Sequence, residues 1–212
     1  PFVFPSGQSC KDFDEFALGC QNNWDFAVEL LQQGFLKQFF STMGRLDLGH
    51  FAQDAANFPD RDRGLDQFLA RLPGTSVPPA KLEVEPKLVD LGTLQVGHSS
   101  HLAVRLENQG GSLIFGSISA SCPWLSIADA GDSKVFQFRD NTTIPIEVKG
   151  QYLRAGNKPI EGTLYIESNA GSFEVKVVAN VPVQVFPQGC LAGARSPREV
   201  AEKAKKFPKE AG

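Results

Sequence analysis

The sequence predicts an α+β multidomain chain: a short N-terminal helical bundle, then an immunoglobulin-like antiparallel β-sandwich, then a C-terminal helix. Three observations predict it. Apolar residues recur at helical spacing as far as Leu72. Three prolines then fall within Pro73-Gly74-Thr75-Ser76-Val77-Pro78-Pro79, and beyond them the apolar period drops to two. A chain of 212 residues has room for this arrangement, because domains cluster near about 100–150 residues. We read 1–72 as the bundle, 73–80 as a proline-stiffened linker, 81–187 as the sandwich and 188–212 as an extension with a short helix.

Five short helices account for the first part. Their apolar faces run through Phe13, Phe16, Ala17 and Cys20, then Trp24, Ala27, Leu30 and Leu31, then Phe35, Leu36, Phe39, Phe40 and Met43. Leu48, Phe51, Ala52 and Ala55 make the fourth, and Leu65, Phe68, Leu69 and Leu72 the fifth. The punctuation agrees with the period. Asp12 and Glu15 form a capping-box variant, Asn23 stands before Trp24 as a cap, and Gly34 and Gly44 stand where helices end on positive φ. Pro59 stops the fourth helix, and Asp60 or Asp62 starts the fifth. Helices this short are unstable alone, so they must bury their faces on one another. With 17 Phe against two Tyr and two Trp, most of the rings belong in cores, since Phe has no polar handle.

Alternation carries the second part. Leu82 and Val84, then Leu102, Val104 and Leu106, then Ile144, Ile146 and Val148 face one side, with charged residues between them. Leu164 with Ile166, and Val175, Val177, Ala179 and Val181, repeat the pattern. Turn residues separate the runs, and seven to nine strands over about 105 residues suit an immunoglobulin-like sandwich. In the extension, Ser196-Pro197-Arg198-Glu199 is a helix start. Val200, Ala201, Ala204 and Phe207 give that helix an apolar stripe, Pro208 ends it, and Glu199–Lys203 and Glu202–Lys206 supply i,i+4 pairs.

Composition narrows the function. Apolar content of 42% with 21% charge is that of a folded globular chain, and no apolar run approaches the ~18 residues of a membrane span. A net charge of −3 lacks the basic footprint of a nucleic-acid binder. The expected partner is therefore another protein, without membrane insertion. The first residue is Pro1 and the one Met is Met43, which reads as a piece of a longer protein.

Chemistry is sparse. Cys10, Cys20, Cys122 and Cys190 form no CxxC or CxH pair, so no metal is expected. Cys10 and Cys20 are read as buried thiols in a reducing cytoplasm, with a disulfide between them as the alternative. His98 and His101 are read as exposed side chains, and His50 as a satisfied helix-edge histidine, rather than as catalysts. No nucleophile elbow, phosphate-binding glycine loop or HExxH is present, so neither a cofactor nor an enzymatic activity is expected. Asp60-Arg61-Asp62-Arg63 with Asp66 reads as a solvated helix start with local ion pairs, and Asp47, Asp54 and Asp66 are the acids an interlobe active site would use. Trp124 is read as a plug between the sheets. The basic Leu153–Pro159 loop, with Arg154 and Lys158, is read as a solvent loop, with a binding surface as the alternative because sandwiches carry such surfaces on their loops.

The stretch from Leu82 to Gly110, with Pro86, Leu91-Gly92, Val96-Gly97 and Leu106-Glu107-Asn108-Gln109-Gly110, resembles the opening of ASH and major-sperm-protein type immunoglobulin-like domains. Ile118-Ser119-Ala120-Ser121-Cys122 matches the family's next strand, and Leu91 replaces its usual aromatic. The resemblance implies a fold in which Asn108 and the glycines shape turns. Together with the helical part, the chain is similar to uncharacterised regions of bacterial multidomain proteins associated with kinase or Hsp70-like domains. This implies a scaffolding or accessory role for a protein-interaction module. The rival expectation is an extracellular or periplasmic module that recognises a glycan or surface component.

Overall fold

The computed structural model describes residues 1–185 and 188–206. A two-residue hairpin, β1 (Phe2–Val3) with β2 (Ser9–Cys10), precedes five helices: α1 (Phe13–Asn22), α2 (Trp24–Gln32), α3 (Phe35–Thr42), α4 (Leu46–Ala56) and α5 (Arg61–Ala70). The five helices are those the apolar period predicts. The Asp12 carboxylate accepts the Glu15 N–H at 2.8 Å, and Glu15 reaches back to the Lys11 N–H at 2.7 Å, so the expected capping box closes one residue early. Asn23 behaves differently from expectation. Its amide donates to the Gly19 carbonyl at 2.9 Å, closing the end of α1 instead of capping α2. Gly34 and Gly44 adopt φ of 79° and 80°, as their positions require.

Nine strands follow: β3 (Leu82–Glu85), β4 (Leu88–Thr93), β5 (Ser100–Asn108), β6 (Ile114–Ala120), β7 (Leu125–Ile127), β8 (Ser133–Phe138), β9 (Asn141–Val148), β10 (Ile160–Ser168) and β11 (Gly171–Asn180). They form a five-stranded sheet ordered β4-β11-β10-β6-β8 and a four-stranded sheet ordered β3-β5-β9-β7. The pairings are antiparallel except for β4, which runs parallel to β11. The chain changes sheets at Pro86, which has no N–H to give to a continued ladder, so β3 and β4 flank different sheets. The sandwich core joins the predicted dry faces, including Val104, Leu106, Ile146, Leu164, Ile166, Val175 and Val177. Trp124 is 7% exposed within it.

Asn108 holds the turn that the family resemblance emphasises. Its amide nitrogen donates to the Ser112 and Arg139 carbonyls at 2.8 and 2.7 Å, while its oxygen accepts the Gly110 N–H at 2.9 Å. Gly110 must be glycine because a Cβ there would overlap the Pro79 carbonyl.

The helix α6 (Pro197–Lys206) begins where the sequence places it, with Ser196 accepting the Glu199 N–H at 3.2 Å. Its ion pairing departs from expectation. Arg198 pairs with Glu202 at 3.0 Å, and Lys203 turns away from Glu199 to the Ala192 carbonyl. Phe207 and Pro208 lie outside the described residues.

Contacts from α1, α2 and α5 hold the helical lobe to the sandwich. Within the helical lobe Asp62 accepts the Trp24 indole N–H at 2.7 Å; from the sandwich the Arg139 guanidinium lies 4.5 Å from the Trp24 ring centroid and donates to the Gln21 carbonyl at 2.7 Å. Arg63 stacks 3.8 Å from the Phe115 ring centroid, Asp60 accepts the Gln137 amide at 3.1 Å, and Asp66 accepts the Leu113 N–H at 2.8 Å. This corrects the reading of the 60–66 charges as a solvated start with local ion pairs. A charged second face on a ten-residue helix looks solvated in sequence, but here a neighbouring sheet and its loops cover it. The proline segment is tied down as well, with Ser76 on Asp14 and the Pro78 carbonyl accepting from the Gly111 and Ser112 N–H groups.

Candidate functional site

An apolar concavity lies on the helical lobe, between the N-terminal hairpin, the start of α1 and α3. Its volume is about 500 Å³, lined by Phe2, Phe13, Phe16, Phe39, Phe40 and Met43, with Lys11 and Asp12 at the rim. Hairpin pairing of Phe2 with Cys10 carries the Phe2 ring over the helices, where it meets Phe4, Phe16 and Phe39 edge-on at 4.9, 5.2 and 5.2 Å. Edge-to-face contact satisfies the ring quadrupoles, so the slot walls are pre-formed. On the Phe13 side, the Arg45 guanidinium sits 5.2 Å from the ring centroid and is held there by Asp47 at 2.7 Å. That contact holds the Asp47 carboxyl well below its usual range, at about 2.

The cleft opens onto an exposed apolar face. Phe35, Phe39 and Met43 recur every fourth residue on α3, with Phe35 53% and Met43 56% exposed, and Leu46 follows at 62%. The sequence assigns all five apolar positions of α3 to the core, yet only Leu36 and Phe40 are buried. At about 100° per residue the five span an arc of roughly 140°, which is wider than α2 and α4 cover. The sandwich's exposed apolar edge is less open. Val135 on β8 is 81% exposed, but Lys134 occupies the same alternate register as core residue Phe138, and Gln137 is bound to Asp60. Such a charge on an edge strand opposes pairing with another strand.

The remaining candidates lie apart. His50, His98 and His101 are exposed. Asp47 is bound to Arg45, Asp54 is exposed on α4, and Asp66 lies at the interlobe contact, so these three acids share no cleft. Among the described residues, no three His, Cys, Asp or Glu side chains converge as metal ligands, and no helix is long and apolar enough to cross a membrane. Cys10 and Cys20 are buried free thiols, each with its titration pushed up first by burial; in Cys20 the neighbouring Cys10 adds to the effect.

Burial raises Asp66 above its ordinary 3.8, against the opposing pull of the Leu113 N–H. The folded protein therefore holds this proton more tightly than the unfolded chain. Ionised Asp66 costs stability at neutral pH, and the cost disappears as pH falls through the raised value and below 3.8. Asp66→Asn retains an acceptor for Leu113 and removes the charge. Urea midpoints are expected to put it level with or above the parent at pH 7, with the gap closing by about pH 4. Asp66→Ala, which leaves the Leu113 N–H unpaired, is expected to lose about 1–3 kcal/mol at both pH values.

No protein-family model matches the chain. No curated protein matches it either. Among solved structures it is similar to a protein of unknown function from Porphyromonas gingivalis W83, at 22% identity and a TM-score of 0.41 over 50% of this chain and 49% of that one. The chain thus spans about half the length of that structure. It is also similar to the ASH/PapD-like domain 7 of human CEP192, at 16% identity and TM-score 0.37 over 51% of this chain and 90% of that one. A third similarity is to SSP-19, an MSP-domain protein like family member of Caenorhabditis elegans, at 14% identity and TM-score 0.34 over 46% and 98%. The sandwich assignment itself rests on strand order and the shared core, not on these likenesses.

Proposed function

We propose that the chain is a non-enzymatic protein–protein interaction module that docks a partner through the apolar face of its helical lobe. The observation that carries this reading is the pair of exposed side chains Phe35 and Met43, on α3 and at its C-cap, continuous through half-buried Phe39 with a ring-lined cleft. Contiguous apolar surface of this kind on a folded chain is a mark of interaction sites. The resemblance to ASH-type domains supports a scaffolding role, as an accessory region of a larger bacterial signalling or chaperone protein. Burial of Cys10 and Cys20 as free thiols suits a cytoplasmic setting.

The test is a paired affinity capture with the parent chain and Phe35→Asp/Met43→Asp. Both positions are exposed, so the variant is expected to keep the parent melting temperature while recovering at least tenfold less of the protein that the parent enriches. Equal recovery, or no protein enriched by the parent, overturns the reading.

A further inference from the structure

A second cleft, of about 500 Å³, lies at the end of the sandwich where β4 and β11 finish, the basic loop after β9 arrives, and the extension returns. We propose that it binds a sugar carrying a tetrahedral oxyanion, as a phosphate or sulfate ester. Among the described residues its walls contain two cations, Lys158 and Arg195, and no carboxylate. Neither cation has an ion-pair partner among the described residues. Of the acids close by in sequence, Glu199 accepts the Arg195 backbone N–H at 2.7 Å and Asp90 accepts the Gly92 N–H at 2.8 Å. An anion seated between the two cations gains from both, and the side chains need no proton transfer to receive it.

The other polar groups fit the body of the ligand. Asn157, Asn180 and Thr93 contribute amides and a hydroxyl, groups that both donate to and accept from sugar hydroxyls. Two of them are placed by the sheet. Thr93 and Asn180 are register partners on β4 and β11, immediately after a shift in pairing between Val178 and Asn180. A bulge of this kind re-aims side chains at a sheet end. The wall is anchored by two backbone bonds, Gly156 N–H to the Val181 carbonyl at 2.9 Å and Leu94 N–H to the Asn180 carbonyl at 2.8 Å. Val183 gives the cleft an apolar side against which a sugar ring face can rest, and the volume falls within the range of small-molecule sites. The site shares no residue with the cleft on the helical lobe, so each can fail independently of the other.

Calorimetric titration of the whole chain with glucose 6-phosphate, glucose and inorganic phosphate tests the proposal. Glucose 6-phosphate is expected to bind at least tenfold more tightly than either of the others, with an affinity that falls as salt rises. Lys158→Gln and Arg195→Gln replace exposed side chains, and each is expected to weaken glucose 6-phosphate at least fivefold with an unchanged circular dichroism spectrum. Asn180→Ala should weaken the ester while leaving inorganic phosphate unaffected. Inorganic phosphate binding as tightly as the ester would identify an adventitious ion only and overturn the proposal. Equal binding of glucose, no binding of the ester, or insensitivity to the two cation variants would overturn it as well.

Discussion

Trp124→Ala is expected to cost about 3–5 kcal/mol of folding stability, the range for removing a large buried aromatic. The Trp124 ring lies in the sandwich core, packed so closely on β10 that a Cβ on Gly162 would come within 2.9 Å of it. Its carbonyl also accepts the Lys149 N–H at 2.8 Å, which fixes the segment between β7 and the loop after β9. Relaxation cannot fill the space, because the facing residues are strand positions already committed to ladders. Trp124→Phe should recover part of the loss. Urea denaturation followed by circular dichroism measures both, and a loss under 1 kcal/mol for the alanine variant would show that the ring is not a plug between the sheets.

Arg139→Ala is expected to cost about 2–5 kcal/mol and to separate the unfolding of the two lobes. The guanidinium contributes a stacking contact with Trp24 and a charged hydrogen bond to the Gln21 carbonyl, effects of about 0.5–2 and 1.5–3 kcal/mol. Arg139→Lys keeps the charge but not the plane, so it should recover less than half of the loss. Calorimetry is expected to resolve the single parent transition into two in the alanine variant. One unchanged transition would show that the lobes are coupled through the proline segment and α5 alone.

The helices were legible because amphipathic spacing, Asp12 and Asp60 as caps, and the glycines at positions 34 and 44 act over a few residues. The strands with clean alternation were legible for the same reason. The shorter ones were not: β7 is buried at all three positions and carries no alternation, and β8 has exposed residues on both faces at its start. Neither proposed surface was fully readable. The apolar residues of α3 look like core in sequence because core and docking face obey the same period. Lys158 was marked as part of a basic loop, but Arg195, Asn180 and Thr93 come to it from separate segments.

The sequence by itself determined the five helices, the cleanly alternating strands and most of the residues their cores bury, since each follows from a repeated apolar period or from contacts between residues near in the chain. Only the tertiary structure decided that Asp60, Arg63 and Asp66 reach across to the sandwich, that β4 runs parallel to β11, and that Phe35 and Met43 face outward. Each of those outcomes depends on which surface arrives opposite a side chain, and that surface comes from residues tens of positions away.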